Sequence, residues 1–170
     1  MKYDVKFDCF LSHNSCDKPA ARAIKNLIVK NGLAVWLGED ELTPGTKWQD
    51  GLEQAIKACR SVAVLVGPSG EGSWQSEEVQ AALNIATREE LRVFAVLLPG
   101  LKDSSNLSIF LRNRTYVDLR RTLDDPLGVT KLIWGITGTK PTSGTEQVND
   151  VHGTATYEGG AQPCRVVSCS

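Results

Sequence analysis

The residues with the clearest chemical potential run Gly67-Pro68-Ser69-Gly70-Glu71-Gly72-Ser73-Trp74-Gln75-Ser76-Glu77-Glu78. They follow the apolar run Val62 to Val66, which reads as a buried strand, and open a segment with helical spacing. In a parallel α/β sheet, ligands bind beyond the carboxyl ends of the strands. Glycines, an aromatic ring and carboxylates are therefore delivered where a site would form. On a helix Trp74 and Glu78 share one face, and Glu77 lies about 100° round from Glu78. A ring beside a carboxylate under a glycine-rich turn suits a sugar or a nucleotide. Gly67, Gly70 and Gly72 would let backbone approach a pyrophosphate, or would serve a turn with positive φ. Their spacing is neither a Walker A loop nor a G-x-G-x-x-G fingerprint, which excludes P-loop NTPases and the usual dehydrogenases. Spacing alone favours a solvated first-turn acid at Glu78 and weighs a packing role for Trp74 about evenly against a site role.

Other polar groups carry weaker signals. Ser12-His13-Asn14-Ser15 ends the apolar run Phe7-Asp8-Cys9-Phe10-Leu11. His13 is a lone loop histidine, commonly just solvated. Cys9, His13 and Cys16 lack metal-ligand spacing, and no second pair completes a set, so no metal is expected. The five cysteines are odd in number and unpatterned, which fits a reducing cytoplasm. Net charge is −1, with no basic excess to favour nucleic acid or an anionic membrane. Apolar stretches are far too short to span a bilayer, and Met1 to Lys6 has no signal-peptide core.

The elements that must position these groups alternate. Short apolar strands are expected at Phe7–Leu11, Leu33–Leu37, Val62–Val66, Val93–Leu98 and Tyr116–Leu119. Between them lie helical faces. Ala20, Ala23, Ile24, Leu27 and Ile28 form one, stopped by Asn31-Gly32. Trp48, Leu52, Ile56 and Cys59 form a second, and Val79, Ala82, Leu83 and Ala86 a third. A short helix is expected at Ser108–Arg112 and a last one at Pro126–Ile136. Ser12 to Ser15 supply caps for the first helix. Strands alternating with helices predict an α/β fold, a flavodoxin-like doubly wound five-stranded parallel sheet of order 2-1-3-4-5 with helices on both faces. Residues 1–137 form this domain. Residues 138–170, rich in Gly, Thr and Ser, read as a flexible linker or disordered tail that leads to further domains.

These boxes, in this order, resemble the Toll/interleukin receptor (TIR) domain family. Phe7-Asp8-Cys9-Phe10-Leu11-Ser12-His13 resembles its first box. Trp36-Leu37-Gly38-Glu39-Asp40-Glu41-Leu42-Thr43-Pro44-Gly45 resembles the end of its second strand and the long loop that follows. Gly67 through Trp74 and Glu78 looks like the start of the third helix in bacterial, NAD-cleaving members. Phe110-Leu111 and Val117-Asp118-Leu119-Arg120 resemble the last segments. The likeness runs from Tyr3 to Ile136, and each motif gains weight from being in register with the others. Many TIR domains carry an Asp where this chain has Gly38, a departure that concerns one loop contact. Two related folds fit less well. A receiver domain needs an Asp where strand three ends Leu65-Val66-Gly67, and a flavodoxin phosphate loop needs a glycine absent from Ser12 to Cys16.

The resemblance implies cleavage of NAD+ at the nicotinamide-ribose bond, with NAD+ as substrate and no prosthetic cofactor. Glu78, four residues after Trp74, falls on the family's catalytic glutamate. Substrate contacts fall on Trp74, Phe10, Leu11, Ser12, His13, Gly67 and Ser73. The loop bearing Asp40, Leu42, Pro44 and Gly45 would mediate self-association into a homo-oligomer. The implied setting is cytoplasmic bacterial antiphage signalling, with a fused or partner sensor domain. The competing expectation is a non-catalytic TIR interaction module, a class in which an acid at the Glu78 position is often missing.

Overall fold

The computed structural model describes residues 4–38, 48–68, 77–102 and 114–141. Five strands, β1 (Cys9–Ser12), β2 (Val35–Leu37), β3 (Ser61–Val66), β4 (Arg92–Leu97) and β5 (Tyr116–Asp118), pair in parallel in the order β2-β1-β3-β4-β5. Four α-helices are described: α1 (Lys18–Lys30), α2 (Trp48–Lys57), α3 (Glu77–Arg88) and α4 (Pro126–Thr137). The expected flavodoxin-like α/β order is therefore the one formed. The expected helix at Ser108–Arg112 and nearly all of the tail lie outside the described residues.

A parallel sheet covered on both faces needs continuous apolar strands, and β3, with the sequence SVAVLV, is buried at every position. Side chains alternate between faces. Phe10, Trp36, Val62, Val64 and Val66 pack with Leu52 and Ile56 of α2 and Leu83 and Ala86 of α3. Cys9, Leu11, Ala63 and Leu65 pack with Ile24 and Ile28 of α1 and Leu132 and Ile136 of α4. The helices thus divide between the two faces of the sheet.

Strand and helix ends differ from the apolar runs for local reasons. The β1 ladder starts at Cys9 rather than Phe7 because Asp8 intervenes. Its carboxylate accepts the Ala34 N–H at 2.8 Å, and Phe7 makes only an isolated bridge to Cys59. Leu33 is withheld from β2 because it finishes the α1 cap. Its N–H reaches the Ile28 carbonyl at 3.4 Å, and Gly32 N–H reaches Val29 at 2.9 Å. This is the paired bonding of a Schellman end, with Gly32 at φ +79. At the other end of the sheet, the Arg92 guanidinium donates to the Ile136 carbonyl at 2.6 Å, closing the C-terminus of α4. Among the described residues no helix is long and apolar enough to cross a membrane.

Candidate functional site

The order β2-β1-β3-β4-β5 reverses direction between β1 and β3, so a crevice is expected beyond their carboxyl ends. The register sets Ser12 beside Val64, and the chains leaving β1 and β3 emerge together there.

Phe10 and Leu11 are buried on opposite faces of β1. Phe10 stacks on Trp36 with ring centroids 4.7 Å apart and planes inclined by 13°. Ser12, also buried, is the last residue of the strand. His13 follows, half-buried, with Nδ1 2.8 Å from the Asn14 carbonyl oxygen. A carbonyl only accepts, so Nδ1 carries the proton and Nε2 is the ring nitrogen left for other contacts. The expected caps serve a different element. Asn14 Oδ1 accepts from the Cys16 N–H at 3.4 Å and caps a single 3-10 turn, Ser15–Asp17, that precedes α1.

Sequence reasoning missed Asp17. It stands at the N-cap of α1, where an aspartate ordinarily accepts from its own helix, yet it makes no such bond. Its carboxylate turns instead to the end of β3 and packs against the backbone of Gly67. Only 7% of Asp17 is exposed. Burial pushes its carboxyl pKa up, opposed by the Gly67 N–H and the nearby His13. Gly67 is buried and outside the left-handed region. Its lack of a side chain serves packing, because a β-carbon there would overlap the Asp17 carboxylate. The next residue is held from the other side. Gly100, at φ +88 after β4, brings its α-carbon so close to Pro68 that an added β-carbon would lie 2.8 Å from Pro68 Cγ. Gly67 and Pro68 are thus gripped between the β1 and β4 loops.

Glu77 and Glu78 are the first two residues of α3. A helix that follows a parallel strand starts at the sheet's carboxyl edge, so their backbone stands in the first turn beside this crevice. Trp74, Ser73, the loop residues Asp40, Leu42, Pro44 and Gly45, and the Glu78 side chain lie outside the described residues. Of the expected substrate contacts, the structure brings Ser12, His13 and Gly67 together at the edge and sets Phe10 and Leu11 in the core beneath. At the far side of the edge Arg120 grips Asp118 with two bonds, Nε–Oδ1 at 2.9 Å and Nη2–Oδ2 at 2.6 Å. This holds the Asp118 carboxyl below its ordinary range. Among the described residues no group of three His, Cys, Asp or Glu side chains is arranged to hold a metal ion.

The doubly wound sheet with a crevice between β1 and β3 defines the class as flavodoxin-like α/β. The TIR domain family model matches residues 9–133, so the chain belongs to the TIR domain family. Solved structures share the fold at low identity. A metazoan TIR-STING receptor from C. gigas is 23% identical with a TM-score of 0.64, covering 80% of this chain and 41% of that one. The TIR domain of the Toll-related receptor TRR-2 from Hydra magnipapillata is 16% identical with a TM-score of 0.64, covering 78% of this chain and 99% of that one. The TIR domains of the activated Roq1 resistosome are 19% identical with a TM-score of 0.55, covering 75% of this chain and 98% of that one. The chain thus spans about two-fifths of the TIR-STING receptor. No curated protein matches it.

Proposed function

We propose that this TIR domain is an NAD+ nucleosidase that breaks the nicotinamide-ribose bond. Its products are nicotinamide and either ADP-ribose or a cyclic ADP-ribose isomer. The observation that carries the reading is an acid, Glu78, in the first turn of a helix that starts at the carboxyl edge of a TIR sheet.

One carboxylate suffices for this bond. The nicotinamide ring of NAD+ is already cationic and leaves with the C–N electron pair as a neutral molecule. No general acid is needed, unlike ordinary glycoside cleavage, where a leaving oxygen must be protonated. Positive charge then develops on the ribose. The fixed carboxylate of Glu78 stabilises it more in the transition state than in the ground state. Water attacks the anomeric carbon and loses a proton to solvent, giving ADP-ribose. A nucleophilic atom elsewhere in the same ADP-ribose gives the cyclic product. NAD+ is the substrate, and the reaction needs no prosthetic group.

Activity depends on self-association through the loop bearing Asp40, Leu42, Pro44 and Gly45, with Trp74, Ser73, Ser12, His13 and Gly67 at the substrate. The biological setting is cytoplasmic bacterial antiphage signalling, triggered by a fused or partner sensor domain. This setting is supported by family resemblance.

The test is NAD+ consumption at high protein concentration, with products separated by chromatography. Wild type consumes NAD+, Glu78→Ala does not, and Glu77→Ala is much milder. Equal loss from both substitutions sinks the assignment of Glu78. No consumption by wild type, even with a crowding agent, makes the domain a non-catalytic TIR interaction module.

A further inference from the structure

The whole chain carries a net charge of −1, but the fold does not spread its charges evenly. α1 and α4 pack on one side of the sheet, against Cys9, Leu11, Ala63 and Leu65. α2 and α3 pack on the other. α1 contributes Lys18, Arg22, Lys25 and Lys30, α4 contributes Lys131, and neither helix has an Asp or a Glu. α2 and α3 carry Asp50, Glu53, Glu77 and Glu78 against Lys57 and Arg88. A whole-chain balance without basic excess thus conceals one cationic side. That side also holds apolar groups in water: Leu127 is 77% exposed, Val29 51% and Trp134 40%. Leu127 and Trp134 are seven positions apart and share the outer face of α4. We propose that the outer surface of α1 and α4 docks the domain on an anionic lipid membrane, with the cations among the headgroups and Leu127 and Trp134 at the acyl boundary. This goes beyond NAD+ cleavage and does not depend on it.

The residue types select the occupant. Arg22, Lys30 and Lys131 are exposed, and Lys18 and Lys25 are half-buried. Protein–protein interfaces are depleted in lysine. At a bilayer, by contrast, a lysine lays its methylenes along apolar groups and keeps its ammonium among the lipid phosphates. A single-stranded nucleic acid would use Trp134 as a stacking platform, but the Lys140 ammonium lies over that ring, 5.7 Å from its centroid. A tryptophan beside a cation suits the headgroup level, where the indole N–H meets water and the ring meets acyl chains. The acids next to this surface, Asp124 and Asp125, stand at the amino end of α4, where Thr122 and the Gly128 N–H donate to them. Attachment is peripheral, since among the described residues no helix is long and apolar enough to cross a bilayer. Each cation near an anionic surface strengthens binding about fivefold, and the attraction fades with salt. A cationic patch with a few apolar anchors therefore binds reversibly.

The experiment is co-sedimentation of the full chain with vesicles of equimolar phosphatidylglycerol and phosphatidylcholine, beside vesicles of phosphatidylcholine alone, at low and high salt. Wild type binds the anionic vesicles, leaves them at high salt and ignores the neutral ones. The double variant Arg22→Gln/Lys131→Gln weakens binding about 25-fold. Lys57→Gln/Arg88→Gln removes the same charge from the opposite side of the sheet and keeps binding within about threefold, because those charges stand beyond a Debye length from the lipid. Leu127→Ser, at an exposed position that the fold does not need, weakens binding about tenfold. Thermal unfolding of each variant keeps a folding defect apart from a binding defect. Wild type that fails to bind anionic vesicles, or binds both kinds equally, overturns the proposal, a result independent of whether any variant folds. So does equal loss in the two double variants, which makes net charge rather than this surface the cause. Retention on polyglutamate or single-stranded DNA with none on anionic vesicles also overturns it, and assigns the surface to an acidic protein or a nucleic acid.

Discussion

Truncating Phe10 separates a core role from a pocket role at the strand that leads into the site. Phe10 and Trp36 are each 4% exposed and stack at 4.7 Å. In the sheet Phe10 pairs with Trp36 on one side and Val62 on the other. Removing a buried phenylalanine ring costs about 3–5 kcal/mol. Within that, an aromatic pair of this geometry contributes about 0.5–1.5 kcal/mol. Against a typical domain stability of about 5–15 kcal/mol, Phe10→Ala leaves the fold near its threshold. Phe10→Leu, which keeps much of the volume, costs about 1.5 kcal/mol or less. Urea unfolding of Phe10→Leu, Trp36→Leu and the double variant measures the coupling directly, with m unchanged if two-state behaviour holds. A loss below about 1 kcal/mol in Phe10→Ala would refute the core assignment. Phe10→Leu that is fully stable but has a raised KM for NAD+ would move the ring into the pocket.

Three further outcomes are expected. Arg92→Met removes the charge-assisted bond to Ile136 at the end of α4 and lowers stability by about 1–2 kcal/mol in thermal or urea unfolding. In the native protein an alkylating reagent labels exposed Cys16 and spares Cys9 and Cys59. Burial pushes the Cys9 thiol up to about 12 and raises Cys59 as well, and only thiolates react readily. Peptide mass spectrometry reads this outcome, and labelling of Cys9 before Cys16 contradicts it. The pH dependence has two opposed parts. Asp17 has a raised pKa in the folded state, so its contribution is fully present below the unfolded value and is lost as pH rises through the folded one. Asp17→Asn is therefore stabilised relative to wild type as pH rises through that window. Asp118, lowered by Arg120, contributes above its unfolded value and loses this as pH falls. Arg120→Met should flatten that acid limb in pH-dependent unfolding, and an unchanged limb counts against the pair.

Much of this fold is legible because its signals are local. The runs at Val62–Val66 and Val93–Leu98 are apolar without alternation, as strands buried on both faces must be. Ile24 and Ile28 recur at helical spacing, and Asn31-Gly32 stops α1 through the left-handed conformation that glycine tolerates. Those signals lie within a few residues of one another, so chain order alone carries them. The same locality accounts for the boxes that resemble TIR domains and for the choice of Glu78, which rests on its spacing from Trp74.

Boundaries and cross-links are less legible because competing bonds decide them. Leu33 is apolar and adjacent to β2, yet its N–H is committed to the α1 cap. Asp8 interrupts β1 because its carboxylate serves Ala34. The sequence by itself determined the elements, their order and the family. The tertiary structure decided that Asp17 meets Gly67 and that Gly100 meets Pro68. Those contacts arise only when β1, β3 and β4 pair in register, since no local spacing relates residues that far apart in the chain. A buried carboxylate sits where the paired strands leave room for it, and here that room is at the exit of β3, where Gly67 has no side chain.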